Sequence, residues 1–323
     1  MTLTAFLHGY PPLWSMGGEM STHRTLRTVP GSVVFTDTLE DYCFDGVSVR
    51  SATGVSVQCI RDDAESVGAS ILYGHSTLSQ ETIRAARQLH LPSILAVHAP
   101  PRFGKDLRRA WSSATVRLYN TEAARKEWND KKGWLLHPPV GFPFPIPDGP
   151  RNARTLTSSL VNKGAGRVLE LAKRRHDQRF IIVESPAHPT HGDPLFWEQV
   201  EMLDNVKVWP RLHPDEMNRL WAETRVLLVP SRYETYGMAA LEAAWHGIPS
   251  VHVDTPHVRE GIGEAACLIK TTKLDELDHA LTEVEIEYDL WSDRAYDRVS
   301  SLAQREADEL ARFAAGVAAL TTP

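Results

Sequence analysis

The stretch Pro230-Ser-Arg-Tyr-Glu-Thr-Tyr-Gly-Met-Ala-Ala-Leu-Glu-Ala-Ala-Trp-His-Gly-Ile-Pro-Ser-Val251 decides how the chain reads. Ahead of it, Val226–Val229 is a short aliphatic run, a buried strand that stops at Pro230, which has no N–H for a sheet. A polar loop follows, then a segment rich in Ala and Leu. Gly247 ends that helix and Pro249 prevents its continuation. Tyr236, Gly237 and Met238 therefore stand at a helix N-terminus, where the first N–H groups lack intrahelical carbonyls and favour anions. Gly237 lets a ligand approach the backbone closely. Glu234 precedes the helix and Glu242 lies within it. Taken as two helical turns, their separation is ~11 Å. That suits one elongated ligand held at two hydroxyl-bearing points with a diphosphate between them, because carboxylates accept from paired sugar hydroxyls.

Outward from this segment the same rhythm of short strands and helices fills the chain. Strands are expected at Leu3–Leu7, Ser32–Phe35, Ala69–Leu72, Ser93–Val97, Thr115–Leu118 and Trp134–Leu136 in the first half. The second half adds Ser158–Val161, Phe180–Val183, Val206–Trp209, Val226–Val229, Ser250–Val253 and Ala266–Ile269. The stretches Gln80–Leu89 and Glu122–Trp128 suit helices, Gly46–Ile60 suggests an extra strand pair, and the stretch from Leu290 to Leu320 is amphipathic and helical. Such alternation predicts helix-covered, mainly parallel sheets. Between Pro138 and Pro150 six of thirteen residues are proline, which no helix or central strand survives. The expectation is two open α/β domains, 1–142 and 151–304, facing across a cleft. The C-terminal helix, about 305–323, is expected to pack back on the first.

Composition narrows the function. The 323 residues are 42% hydrophobic and 24% charged, ordinary for globular domains and unlike a disordered or collagen-like chain. The net charge of −6 argues against a nucleic-acid binder as a whole, although the acidic excess lies after residue 150. Three scattered cysteines, Cys43, Cys59 and Cys267, make no disulfide framework and point to a reducing compartment, so a cytoplasmic protein is expected. No apolar run reaches the ~18 residues of a membrane span, and the first residues, MTLTAFLHGYPP, lack the basic start of a secretory signal. No integral membrane association is expected. His188, His191 and Asp193 have metal-ligating side chains, but a proline intervenes and the spacing is not helical, so no metal is expected.

The run from Pro230 to Val251 resembles the donor-binding signature of glycosyltransferase family 4, whose members have the GT-B fold of two Rossmann-like domains. Two glutamates flanking seven residues are its hallmark. The resemblance implies a retaining, metal-independent glycosyltransferase that moves a sugar from a UDP- or GDP-sugar to a hydroxyl acceptor and needs no cofactor. It implies that Glu242 holds the ribose and Glu234 the donated sugar, with the amides of Tyr236, Gly237 and Met238 on the diphosphate. Tyr10-Pro11-Pro12 with Gly17-Gly18-Glu19 resembles the first loop of the family, whose glycines let a helix N-terminus approach the diphosphate and reacting centre, which makes Gly17 and Gly18 candidate donor-binding residues. His98, after the strand Ser93–Val97, stands where similar enzymes have a histidine near the sugar. Lys163, followed by Gly164, resembles the lysine that neutralises the diphosphate. Glu234, His98 and Lys163 are thus the candidate catalytic residues. Asn120-Thr121-Glu122 is similar to the family's helix start and reads as a cap.

Departures are equally specific. The family's Arg five residues before that lysine is Ser158 here, which enters the candidate donor site in its place. Arg154, Arg211 and Arg232 are the nearby cations. Glycines usual after the strand Phe180–Val183 and before Glu260 are Glu184-Ser185-Pro186 and Pro256-His257. Arg102, Lys105, Arg108 and Arg109 form a basic cluster that suits an anionic acceptor, and Arg125, Lys126, Lys131 and Lys132 form a second. Trp111, Trp128 and Trp134 lie near both, able to stack on a ligand or to pack inside. Hydroxymethylated bases of DNA are therefore an alternative acceptor to a small molecule or glycan. A sugar-nucleotide epimerase or hydrolase, or a non-catalytic nucleotide-sugar binder, is the alternative of another class.

Overall fold

The computed structural model describes residues 1–12, 17–101, 105–140, 145, 147–185, 194–212 and 216–321. They form two compact units, one of residues 1–141 with 304–323 and one of 142–303.

The first unit is built on strands β1 (Leu3–Phe6), β2 (Val33–Thr36), β3 (Tyr42–Phe44), β4 (Val47–Ser51), β5 (Ile71–Gly74), β6 (Ser93–Val97), β7 (Val116–Tyr119) and β8 (Trp134–Leu135). Their order across the sheet is β3-β4-β2-β1-β5-β6-β7-β8, and all neighbours are parallel except the β3–β4 pair. The strands read as continuous apolar runs because both faces are covered. Leu3 and Ala5 of β1 pack on one face with Phe313 and Val317 of the C-terminal helix, and Phe6 packs on the other with Ile60, Ala64 and Ala85. The helix Tyr288–Ala319 carries its last part into this unit. It is pinned by a buried carboxylate: Glu309 accepts from the His137 N–H at 3.0 Å and meets His137 Nδ1 at 2.9 Å. Glu306 accepts from the Val140 N–H at 2.7 Å.

The second unit holds β9 (Ala153–Leu156), β10 (Arg179–Val183), β11 (Val206–Trp209), β12 (Thr224–Val229), β13 (Ser250–Val253) and β14 (Cys267–Ile269), ordered β11-β10-β9-β12-β13-β14 and parallel throughout. The chain enters at β9, winds outward to β11, then returns to the other side of β9 with β12. In such sheets the crevice between strands that depart in opposite directions binds ligands at the carboxyl ends. In the second unit that point lies between β9 and β12; in the first it lies between β1 and β5.

Two expectations need correction. Ser158–Val161 is not a strand, since the strand is β9, and Ser158 and Ser159 instead spend their hydroxyls on Ser185, side chain and N–H respectively. Gly46–Ile60 is not a strand pair. Only Val47–Ser51 is extended, pairing back to Tyr42–Phe44, and Ser56 caps a helix at Val57–Ser66 by accepting from the Cys59 N–H.

Candidate active site

At the crevice of the second unit, β9 leads into a short turn, Val161–Lys163, that ends at Gly164 with φ +89°. A Cβ on Gly164 would stand 2.6 Å from both Cγ and the carbonyl oxygen of Pro230, so only glycine allows the turn to lie against the end of β12. The Arg232 N–H donates to the Asn162 carbonyl at 3.2 Å and ties the two loops together. This seating brings Lys163 Nζ to 2.9 Å from Glu234 Oε2. Glu234 Oε1 accepts from the Thr235 N–H at 3.1 Å, which fixes the carboxylate. The lysine side chain is 33% exposed and the glutamate 16%, so the pair is wet enough to be open to a ligand. Residues 71 apart in sequence are thus joined at the switch point, one from each departing strand.

Beyond Glu234, Tyr236 is buried and Gly237 takes φ +90°, a left-handed turn into the helix Met238–Ala244. The helix is shorter than the sequence suggests. Only the four steps from Met238 to Glu242 have helical rise, about 6 Å, so the ~11 Å span does not describe the pair Glu234 and Glu242. Glu242 is half-buried on that helix, one turn in. Gly261, whose Cβ would collide with the Tyr236 carbonyl oxygen, lets a neighbouring loop lie close.

Sequence reasoning missed His252. It sits on β13, fully buried, and neither ring nitrogen has a partner. Its Cε1 lies 3.6 Å from where a Gly237 Cβ would stand. Burial depresses its pKa to about 4, Glu234 opposing and Lys163 assisting, so the ring is neutral at pH 7. A histidine inside the apolar run Ser250-Val-His-Val253 was the available signal.

Arg154 turns from the crevice to Glu285 of the helix Leu274–Ile286, donating from Nε at 2.6 Å. Arg232 is exposed. Ser158 Oγ lies 2.7 Å from Ser185 Oγ, at the ends of β9 and β10.

In the first unit, Gly17 and Gly18 open the helix Gly17–Leu26. A Cβ on Gly18 would be 3.6 Å from the imidazole of His75, which follows β5. His75 in turn meets His98, after β6, edge to face at 4.8 Å between ring centroids. Both rings have a buried Nε2 without a partner. Burial lowers the pKa of both, that of His98 to about 4, so each is neutral at physiological pH. His75 was not singled out in the sequence, although it follows a strand just as His98 does. Tyr10 is fixed by its hydroxyl, 2.8 Å from His23 Nδ1, and Tyr42 donates to the Pro11 carbonyl at 3.0 Å.

Of the basic cluster, Arg102 lies outside the described residues. Lys105 begins the helix Lys105–Ser113, Arg108 is exposed and donates to the Pro101 carbonyl at 2.9 Å, and Arg109 is exposed. In the second cluster Arg125 pairs with Glu122 at 2.7 Å, and Lys126, Lys131 and Lys132 are exposed. The three tryptophans face inward: Trp111 stacks on Trp128 at 5.4 Å, and Trp134 packs on Phe313. Thr121 caps the helix Glu122–Glu127, accepting from the Ala124 N–H at 3.0 Å. His188, His191 and Asp193 lie outside the described residues. Among the described residues no helix is long and apolar enough to cross a membrane, and no group of three potential metal ligands is found.

Residues 159–284 match the family described as Glycosyl transferases group 1. No curated protein matches the chain. Among solved structures it is similar to Anabaena HepE in complex with UDP-glucose, with TM-score 0.78 and 14% identity, covering 99% of this chain and 100% of that one. It is also similar to a sucrose-phosphate synthase from Thermosynechococcus elongatus, with TM-score 0.74 and 13% identity over 96% and 97% of the two chains. A third likeness is to WaaG, a glycosyltransferase involved in lipopolysaccharide biosynthesis, with TM-score 0.69 and 16% identity over 95% and 99%. The segment that holds Lys163, Glu234 and Glu242 is therefore the one that matches the group 1 glycosyl transferases, and the chain has the GT-B fold of the glycosyltransferase structures it resembles.

Proposed function

We propose that the protein transfers a sugar from a nucleotide sugar to a hydroxyl acceptor with retention of anomeric configuration and without a metal. The observation that carries this reading is the Lys163–Glu234 pair, 2.9 Å apart at the switch point between β9 and β12, inside the segment that matches the group 1 family. A cation and a carboxylate side by side suit a ligand with a phosphate next to a hydroxyl-rich ring. HepE with UDP-glucose makes UDP-glucose the first donor to try, with GDP-sugars next.

In this reading Lys163 moves its charge from Glu234 to the diphosphate as the ligand enters. The amides of Tyr236, Gly237 and Met238 contact the same group, with Ser158 at its edge. Glu242 accepts from the ribose hydroxyls and Glu234, relieved of the lysine, from those of the sugar. In the reaction the bond from the anomeric carbon to the leaving phosphate oxygen breaks. The acceptor oxygen bonds to that carbon and its proton passes to the departing phosphate. Fixed positive charge at the leaving group lowers the barrier as negative charge builds there. The first unit is assigned the acceptor, while Gly17 and Gly18 are assigned to the donor's diphosphate and the neutral His98 to catalysis near the donated sugar. The cytoplasm, where nucleotide sugars are made, is the proposed location.

The exposed Arg108, Arg109, Lys126, Lys131 and Lys132 favour an anionic acceptor within this reading, hydroxymethylated DNA among the candidates. The test is release of UDP from UDP-glucose with and without acceptors. Acceptor-dependent release supports transfer. Release or sugar isomerisation without any acceptor would favour a hydrolase or epimerase, and tight binding with no turnover would favour a non-catalytic binder.

A further inference from the structure

We infer that His252 is a specificity-determining residue of the donor pocket, its buried imidazole hydrogen-bonding a hydroxyl of the donated sugar beside Glu234. The inference rests on the nucleotide-sugar reading above.

Three features of the second unit carry it. The ring is fully buried, yet both of its nitrogens lack a partner, a costly state in a protein interior. Buried His23, by contrast, has Tyr10 and Asp45, and buried His137 has Glu309. The orphaned edge has a direction. Cε1 lies between the two nitrogens, and it is the atom that faces the missing side chain of Gly237 at 3.6 Å. The edge that carries both nitrogens is thus turned toward the left-handed turn between Glu234 and the helix at Met238. The third feature is electrical: the ring feels Glu234 and Lys163, the pair proposed to hold the sugar and the diphosphate, so all three groups share one neighbourhood.

The chemistry of the partner follows from the ring's protonation. A neutral imidazole offers one donor and one acceptor. A phosphate oxygen would use the donor alone and leave the other nitrogen orphaned. A hydroxyl both donates and accepts, so one or two neighbouring hydroxyls satisfy the ring completely. Loss of a ligand hydroxyl would leave a buried nitrogen unpaired again, and this is the situation in which sites discriminate most strongly between sugars.

The experiment measures the dissociation constants of UDP and UDP-glucose, and of GDP and GDP-mannose, by calorimetry on wild type, His252→Ala and His252→Gln. Thermal unfolding of each variant establishes that it is folded. The quantity read is the ratio of nucleotide to nucleotide-sugar affinity. His252→Ala is expected to cut the sugar's contribution at least fivefold while the affinity for the bare nucleotide stays within twofold. His252→Gln, which keeps a donor and an acceptor, is expected to restore part of it. Equal weakening of both ligands would overturn the inference in favour of a structural role. An unchanged ratio in both variants would overturn it by showing that the ring is satisfied without the sugar. Wild type that binds none of the four ligands would instead refute the nucleotide-sugar reading, a result separate from either.

Discussion

Replacing Lys163 with Ala separates a catalytic cation from an ordinary ion pair. The structural cost should be small. The pair is partly exposed, at 33% and 16%, and Glu234 keeps the Thr235 N–H after the lysine is gone. Exposed pairs contribute about 0–1 kcal/mol, so the loss of folding stability should be about 1 kcal/mol. The kinetic cost should be larger, because a charge fixed beside the leaving diphosphate acts on charge that develops only in the transition state. Removing one such group elsewhere costs about 10²–10³ in turnover, roughly 3–4 kcal/mol. A lysine that already shares its charge with Glu234 sits at the low end, so at least a tenfold fall is expected, about 1.4 kcal/mol. The assay is UDP release from saturating UDP-glucose with an active acceptor, alongside urea unfolding of the same samples. Lys163→Arg should recover part of the rate. Turnover of Lys163→Ala within twofold of wild type, in a folded sample, would remove Lys163 from the reaction.

Gly164→Ala should destabilise the second unit by about 2–4 kcal/mol, because a left-handed φ and a collision with the Pro230 backbone combine; an unchanged urea midpoint would refute the close packing. Glu309→Ala should cost about 2–3 kcal/mol by orphaning the buried His137 N–H and ring and releasing the C-terminal helix, read as faster proteolysis of the chain end. Mild acid should weaken the fold. Burial holds His23 and His252 near pKa 4 against an ordinary 6.5, so the unfolded chain takes up protons first. Their stabilisation is complete above about pH 6.5 and declines as pH falls toward 4, by about 1 kcal/mol each at pH 5.5. A urea midpoint equal at pH 7.5 and 5.5 would contradict the neutral buried state.

What the sequence revealed and what it concealed have physical causes. The run from Pro230 to Val251 was legible because proline, glycine and a small-residue helix each carry a local backbone meaning. Lys163 was legible through its glycine. The strand Ala153–Leu156 was not, because Arg154 looks like a loop charge until Glu285, 131 residues on, is seen to neutralise it. Its neighbour Thr155 is hidden in the same way by a contact of its hydroxyl with Thr224 at 2.8 Å. Ser158 and Ser159 read as extended, yet their hydroxyls serve the turn. His252 and His75 were overlooked because a lone histidine within an apolar strand is usually satisfied in the core, and only three-dimensional contacts show that these nitrogens are not.

The most direct test of the account is thermal unfolding of the protein with UDP, GDP, ADP, CMP and TDP and with their sugars, Glu242→Ala serving as control. A ligand that binds only the folded state at a hundred times its dissociation constant adds about 2.7 kcal/mol, roughly 5–10 °C for a unit of this size. The account predicts a shift of that order with one nucleotide and its sugar, absent in Glu242→Ala. No shift with any of them, from a folded sample, would contradict it.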